Sequence, residues 1–282
     1  MDGPNADRRP PVVEAEVIYQ APMDHPATFY LGGEEGDRDD VVNDARIVPI
    51  YNVRAEQLSY DREGFAVFPH KTAVSDFRDP EQVSSIYRPE LEEFVRAVTG
   101  ASKVAVWRGG ALRLAPRSKD FGAAGTTYPS PTIHGDYTEN SAPGVVTSLI
   151  GAEEAKVRLK NRYAIFSLWR AFSEPPQDVP LCLCDASTVK DEERQLGHVY
   201  YGKGPLEKRM HLQGTGYLYS PAHRWCYFRD MHKHEVLFIK TFDSDGAKAW
   251  RVPHTSFVDP SAPKDAPPRQ SIDIRAVAFW DA

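Results

Sequence analysis

Short apolar runs broken by Gly, Pro, Asn and Asp dominate the chain beyond residue 160. Residues 163–170, 180–184, 225–228, 236–242, 252–257 and 271–279 each have strand length and are rich in β-branched and aromatic side chains. Shorter strands are expected near 198–201, 211 and 216–219. In the first half, residues 13–20, 46–53, 64–70 and 104–108 read as strands. Pro49 marks 46–53 as an edge or entry strand, because proline cannot donate to a ladder. Helical spacing appears in three places. Asp79-Pro80-Glu81 has the chemistry of a helix start, with an acid at the cap and proline in the first turn. A second helix from about Pro89 carries Leu91, Phe94, Val95 and Val98 on one face and ends at Gly100. A third region, 142–161, bears Glu153, Glu154, Lys156, Arg158 and Lys160 on a solvated face. Residues 109–133 hold many Gly, Pro, Ser and Thr and read as a loop. The pattern predicts a mainly β fold, a sandwich or barrel of jelly-roll type with flanking helices.

Composition narrows the class. The chain has 282 residues, 41% of them hydrophobic and 11% aromatic, enough for a sizeable core. A single domain over 1–282 is expected, with residues 1–12 a loose polar arm. Lys and Arg number 34 against 40 Asp and Glu, a net charge of −6, which speaks against a nucleic-acid partner. Cys182, Cys184 and Cys226 form an odd, small set in or near apolar runs and read as core thiols. No apolar run reaches membrane-spanning length and the N-terminus has no secretory pattern, so a soluble, cytoplasmic protein without a membrane partner is expected. A homodimer is the default for an enzyme of this size.

His134-Gly135-Asp136 carries the candidate chemistry. Side chains two residues apart on a strand share a face, so one metal ion could take both. His254 supplies a distant second imidazole, with His223, His232 and His234 as its rivals. Two His and one carboxylate leave positions open, as in non-haem Fe(II) oxygenases. Arg269 and Ser271, at the head of the last strand, could grip the carboxylate of a small diacid. Arg275 shares their face and is an alternative anchor, and Arg170 is a third. Lys240 interrupts an apolar strand, which suits a barrel mouth or a buried ion pair. Tyr137, Trp169, Tyr217, Tyr227 and Phe257 are pocket candidates that core packing would equally explain. His70 reads as a hydrogen-bonded structural histidine.

These motifs in order, His134-Gly135-Asp136-Tyr137-Thr138, Ser167-Leu168-Trp169-Arg170, Pro180-Leu181-Cys182-Leu183-Cys184-Asp185, His223-Arg224-Trp225-Cys226-Tyr227-Phe228, His254-Thr255-Ser256-Phe257 and Arg269-Gln270-Ser271-Ile272-Asp273-Ile274-Arg275, resemble a family of non-haem iron oxygenases. That family includes cephamycin 7-hydroxylase components, gibberellin-desaturase-like proteins and fungal dioxygenases, among them endoperoxide formers of meroterpenoid biosynthesis. The resemblance covers roughly residues 60–280. It implies a double-stranded β-helix (jelly roll) core and Fe(II), 2-oxoglutarate and O2 as cofactor and cosubstrates. It further implies His134, Asp136 and His254 as iron ligands, and Arg269 with Ser271 as the 2-oxoglutarate grip. Many relatives have Asn where this chain has Ser167, and the spacing from His254 to Arg269 is long, which keeps Arg275 and Arg170 open as anchors. The implied reaction is hydroxylation, desaturation or endoperoxide formation on a small natural product, terpenoid or meroterpenoid favoured. The alternatives are an iron oxygenase that does not use 2-oxoglutarate and a non-catalytic jelly-roll binding protein.

Overall fold

The computed structural model describes residues 10–33, 37–123 and 126–281. Most of the expected N-terminal arm lies outside these residues; β1 begins at Val12. Two sheets face one another. The first has the strand order β1 (Val12–Gln20), β3 (Asn43–Asn52), β13 (Trp225–Tyr227), β10 (Leu181–Cys184), β15 (His254–Ser256), β8 (His134–Gly135), β12 (Met210–Tyr217), β11 (Arg194–Tyr201) and β2 (Ala27–Leu31). The second runs β4 (Phe65–Pro69), β14 (Glu235–Asp243), β9 (Tyr163–Ala171), β16 (Gln270–Phe279), β6 (Ala111–Leu114) and β7 (Thr126–Thr127), with β5 (Lys103–Val106) also paired to β16. This is the mainly β jelly-roll core with flanking helices that the pattern predicts.

Alternation along the strands sorts the side chains into layers. On β9, Phe166 and Leu168 turn outward and pack under a helical layer with Leu91, Val95 and Phe238. Trp169 and Ala171, on the opposite face, meet Leu183, Cys226, Leu237 and Ile239 between the sheets. The first sheet also curls, so that Ile18 of β1 bridges Thr132 just ahead of β8. That curl encloses a further cluster holding Val17, Tyr19, Tyr217, Trp225 and Phe257.

Several sequence expectations change. The helix starting at Asp79 and the one at Pro89 form one continuous helical run. It passes from α1 (Pro80–Gln82) through a π-turn (Val83–Tyr87) into α2 (Arg88–Thr99). Pro89 has no N–H to donate, and the Arg88 N–H bonds Val83 five residues back, so the widened turn falls where proline interrupts the regular ladder. The helical region 142–161 splits into α3 (Ala142–Ile150) and α4 (Ala152–Arg158), because Gly151 adopts φ 85° between them. Strand β3 is internal, not an edge: it pairs with β1 on one side and β13 on the other, and Pro49 precedes the first β13 partner, Ile50. The supposed loop 109–133 contains β6, which pairs with the start of β16. The short strands expected near 198–201, 211 and 216–219 are one hairpin of β11 and β12 that ends at Tyr217. Its exposed polar side chains and the glycines of β12 hide the strand pattern. Among the described residues no helix is long and apolar enough to cross a membrane.

Candidate metal centre

A one-residue pairing brings the site together. β15 and β8 are antiparallel neighbours, and His254 lies directly opposite His134. Their rings are 4.4 Å apart between centroids. Each ring is fixed in the same way. His134 Nδ1 donates to the Thr132 carbonyl at 2.9 Å, and His254 Nδ1 donates to the Val252 carbonyl at 3.0 Å. Both carbonyls lie two residues upstream of their histidine. With Nδ1–H committed, each Nε2 keeps its lone pair free, the tautomer a metal ligand needs.

Asp136 follows β8 by one residue and turns its carboxylate toward both rings. Its Oδ1 is 4.0 Å from His134 Nε2 and its Oδ2 is 3.9 Å from His254 Nε2. Gly135 between the ligands is close to obligatory, since an added Cβ would come within 2.9 Å of the Tyr217 hydroxyl. Arg275 Nη2 holds Asp136 Oδ1 at 2.9 Å and bonds Asp273 through Nη1. Asp273 in turn accepts from Ser167 Oγ. Oδ2 of Asp136 is buried and has no hydrogen-bond partner. Such an orphaned anionic oxygen is costly unless something positive completes it.

The charges agree with that reading. Burial, then the neighbouring His254, push the His134 imidazole down to about 4, so it is neutral near pH 7. Burial would raise Asp136, but Arg275 and the two imidazoles overcome it and hold the carboxyl at about 2. Two ring nitrogens whose Nδ1 partners are fixed by carbonyls, one ionised oxygen and open space beyond them fit a divalent iron. Among the described residues this is the one group of three His, Cys, Asp or Glu side chains close enough to share an ion.

A cavity adjoins His134 and His254 and runs to Arg269 past Ser130, Ser167, Trp169 and Thr255. Arg269 is 1% exposed, and its Nη1 donates to the Val179 carbonyl at 2.8 Å. Its Nε has no partner, and its guanidinium lies 5.6 Å from the Trp169 ring centre. Burial, then the charge of Arg113, push its pKa down to about 9, as expected for a buried cation awaiting an anion. Ser271 is buried on the same strand, but its hydroxyl donates to the Arg113 carbonyl.

Other candidates lie elsewhere. Arg170 is on the outward face of β9, one position out of phase with Trp169. It bonds the Tyr87 hydroxyl at 2.8 Å, the carbonyls of His70 and Lys233, and His70 Nδ1. It therefore does not reach the cavity, and neither does His70. Lys240 is likewise on the outward face, buried between Asp61 and Asp243 at 2.5 and 2.8 Å, the ion-pair option and not a mouth. Tyr217, Tyr227 and Phe257 pack in the core of the curled sheet. Tyr137 packs beside Phe242 and Val277 near Arg275. His223 is buried between Tyr19 and Glu193, not solvated, while His232 and His234 are exposed; none joins the metal centre.

Two participants, Asp273 and Arg113, went unread in the sequence, and a third, Arg275, was read there as a possible anchor and not as a brace. Asp273 and Arg275 together brace Asp136, a link between strands distant in sequence. Arg113 borders the cavity and also a recess of about 180 Å³ on the far side of His134 and Asp136. Its signal was present: an Arg alternating with leucines at 112 and 114 is a strand pattern, masked by Gly109-Gly110 and Pro116.

Comparison with known proteins agrees with this geometry. Residues 17–279 match a family model described as an oxidoreductase/YMDC permease-like domain. The Fe(II)/2-oxoglutarate-dependent dioxygenase nvfI of Aspergillus novofumigatus is 29% identical over 242 residues, 81% of this chain and 83% of that one. The hydroxylase/desaturase efuI of Hormonema carpetanum is 30% identical over 263 residues, 86% of this chain and 83% of its own. A solved structure of the iron and alpha-ketoglutarate-dependent endoperoxidase NvfI superposes with a TM-score of 0.82 at 25% identity, covering 99% of this chain and all of that one.

Proposed function

The chain belongs to the Fe(II)/2-oxoglutarate-dependent dioxygenases, and on that premise we propose that His134, Asp136 and His254 hold the iron, Arg269 anchors 2-oxoglutarate, and a C–H bond of a small, largely apolar natural product is oxidised in the adjoining recess. Membership brings Fe(II), 2-oxoglutarate and O2 as the cofactor set, and it removes the non-catalytic binding protein as a reading. When bound, iron and 2-oxoglutarate supply, with O2, the oxidising power that C–H chemistry requires.

The observation that carries the assignment is the orphaned Asp136 Oδ2, 3.9 Å from His254 Nε2, beside two imidazoles whose Nδ1 atoms are already fixed by backbone carbonyls. The chain's own part is orientation. The backbone carbonyls of Thr132 and Val252 set the rings, and Arg275 with Asp273 keeps the carboxylate ionised and aimed. Arg269 offers a buried guanidinium in the cavity that also reaches His134 and His254, where it would hold the distal carboxylate of 2-oxoglutarate. Trp169, Leu181 and Ile239 keep that cavity dry, which strengthens the charge pairing.

Arg275 is committed to two carboxylates, which leaves Arg269 as the better anchor. The recess is walled by Phe29, Leu31, Val199 and Tyr201. Gly197 and Gly214 face each other across its β11–β12 floor and keep it open. We favour a terpenoid-type skeleton for such a recess. Hydroxylation, desaturation and endoperoxide formation share this machinery and differ in how the skeleton lies against it. The test is succinate release from 2-oxoglutarate in the presence of Fe(II) and O2 without added substrate. Slow release that is lost in His134→Ala supports the assignment. Equal release by the variant refutes it.

A further inference from the structure

Arg113 is the one guanidinium at this site that the cosubstrate and the metal ligands do not account for. It stands on β6 where the cavity and the recess meet. Its Nη1 donates to Thr127 Oγ1 at 2.9 Å and to the Tyr128 carbonyl at 3.2 Å, which fixes the head in place. No carboxylate among the described residues pairs with it. The other two arginines differ: Arg275 has Asp136 and Asp273, and Arg269 lines the cavity but not the recess. Counting charges makes the remainder clear. Asp136 and the metal-end carboxylate of 2-oxoglutarate neutralise a divalent iron. The distal carboxylate neutralises Arg269, and Asp273 offsets Arg275. The positive charge of Arg113 is left over in a partly buried, mostly apolar surround, where an unmatched cation is unfavourable. Thr215 adds a second feature on the recess wall, a buried hydroxyl without a hydrogen-bond partner.

We propose that the substrate is an apolar acid, and that its carboxylate pairs with Arg113 while its hydrocarbon body fills the recess beside Val199 and Tyr201. The inference rests on the oxygenase reading of the same site and deepens it. A guanidinium fixed by two bonds presents its remaining N–H groups with little entropy to lose, so an acid gains a charge-assisted contact that an ester cannot match. Pairing at this point also places the carbon skeleton next to His134 and Asp136, and so sets which C–H bond is offered.

The experiment uses the full chain loaded with Zn(II) and 2-oxoglutarate, which binds without turnover. A panel of rigid polycyclic carboxylic acids, each paired with its methyl ester, is titrated by ligand-observed NMR. Arg113→Gln and Arg113→Lys are measured alongside. The expected result is that acids in the panel bind at least tenfold tighter than their esters. Arg113→Gln should abolish the preference, Arg113→Lys should keep part of it, and the 2-oxoglutarate Kd should stay within about twofold in both. A panel in which no acid outbinds its ester, or a preference that survives Arg113→Gln, overturns the proposal. So does a tenfold loss of 2-oxoglutarate affinity in Arg113→Gln, which would make Arg113 a cosubstrate residue. Failure of the wild-type protein to bind 2-oxoglutarate at all would instead indict the oxygenase assignment of the site.

Discussion

At the scale of single residues, the site depends on groups held in one protonation state. His134 is neutral because it is buried beside another imidazole, and Asp136 is ionised because Arg275 outweighs its burial. In both, the unfolded chain binds more protons than the folded one as pH falls. The His134 contribution is intact above about 6.5 and is lost as pH drops toward about 4; Asp136 adds a loss from 3.8 toward about 2. The metal-free protein should therefore melt at steadily lower temperature through that upper window, and His134→Gln should flatten the slope. A pH series of thermal melts checks this, and an unchanged slope in the variant would remove His134 as its source. Arg269→Ala should weaken 2-oxoglutarate binding by about 30-fold or more, since it deletes one side of a buried charge pair. Calorimetry with Zn(II)-loaded protein reads that directly. His134 and Asp136 were legible as metal-binding candidates because a His-x-Asp pair is local and types itself, whereas His254 had three rival histidines. The bracing of Asp136 by Arg275 was not legible, because no spacing rule links residues 139 positions apart.

At the scale of elements, period-two alternation decides which charged residues serve the site. Trp169 faces the cavity and Arg170 the helical layer, although they are adjacent on one strand. The same holds for Ile239 and Lys240. Their apolar runs mark both strands as buried on both faces without saying which face looks at the metal, so the sequence leaves both Arg170 and Lys240 as candidates and the sheet pairing decides against them. Arg170→Met should therefore cost about 1–3 kcal/mol for each partner left unsatisfied, the Tyr87 hydroxyl first, while 2-oxoglutarate affinity stays at the wild-type value. Urea unfolding beside calorimetry separates the two effects. A selective loss of cosubstrate binding would return Arg170 to the site. The helical run 80–99 was readable from its caps and apolar stripe, but its continuity through Pro89 was not. β6 was hidden by its length of four residues.

At the scale of the whole molecule, the curled first sheet delivers His134 and His254 to adjacent strands and closes the recess with β11 and β12. The second sheet brings Arg113, Arg269 and Arg275 to the facing side. The site as a whole is thus shared between the sheets, and ligand binding should stabilise the complete fold by mass action, about 2.7 kcal/mol at a hundredfold excess over Kd. The class of fold followed from the many short apolar runs. The pairing of β15 with β8, which makes the site, came from long-range topology that no window of sequence contains. The most direct measurement is anaerobic Fe(II) reconstitution of the wild type and of His254→Ala, with and without 2-oxoglutarate, followed by metal analysis and visible absorption. A wild type that retains iron and develops a charge-transfer band only when 2-oxoglutarate is added, beside a variant that does neither, is the predicted result. Retention of iron by His254→Ala, or a spectrum indifferent to 2-oxoglutarate, would contradict it.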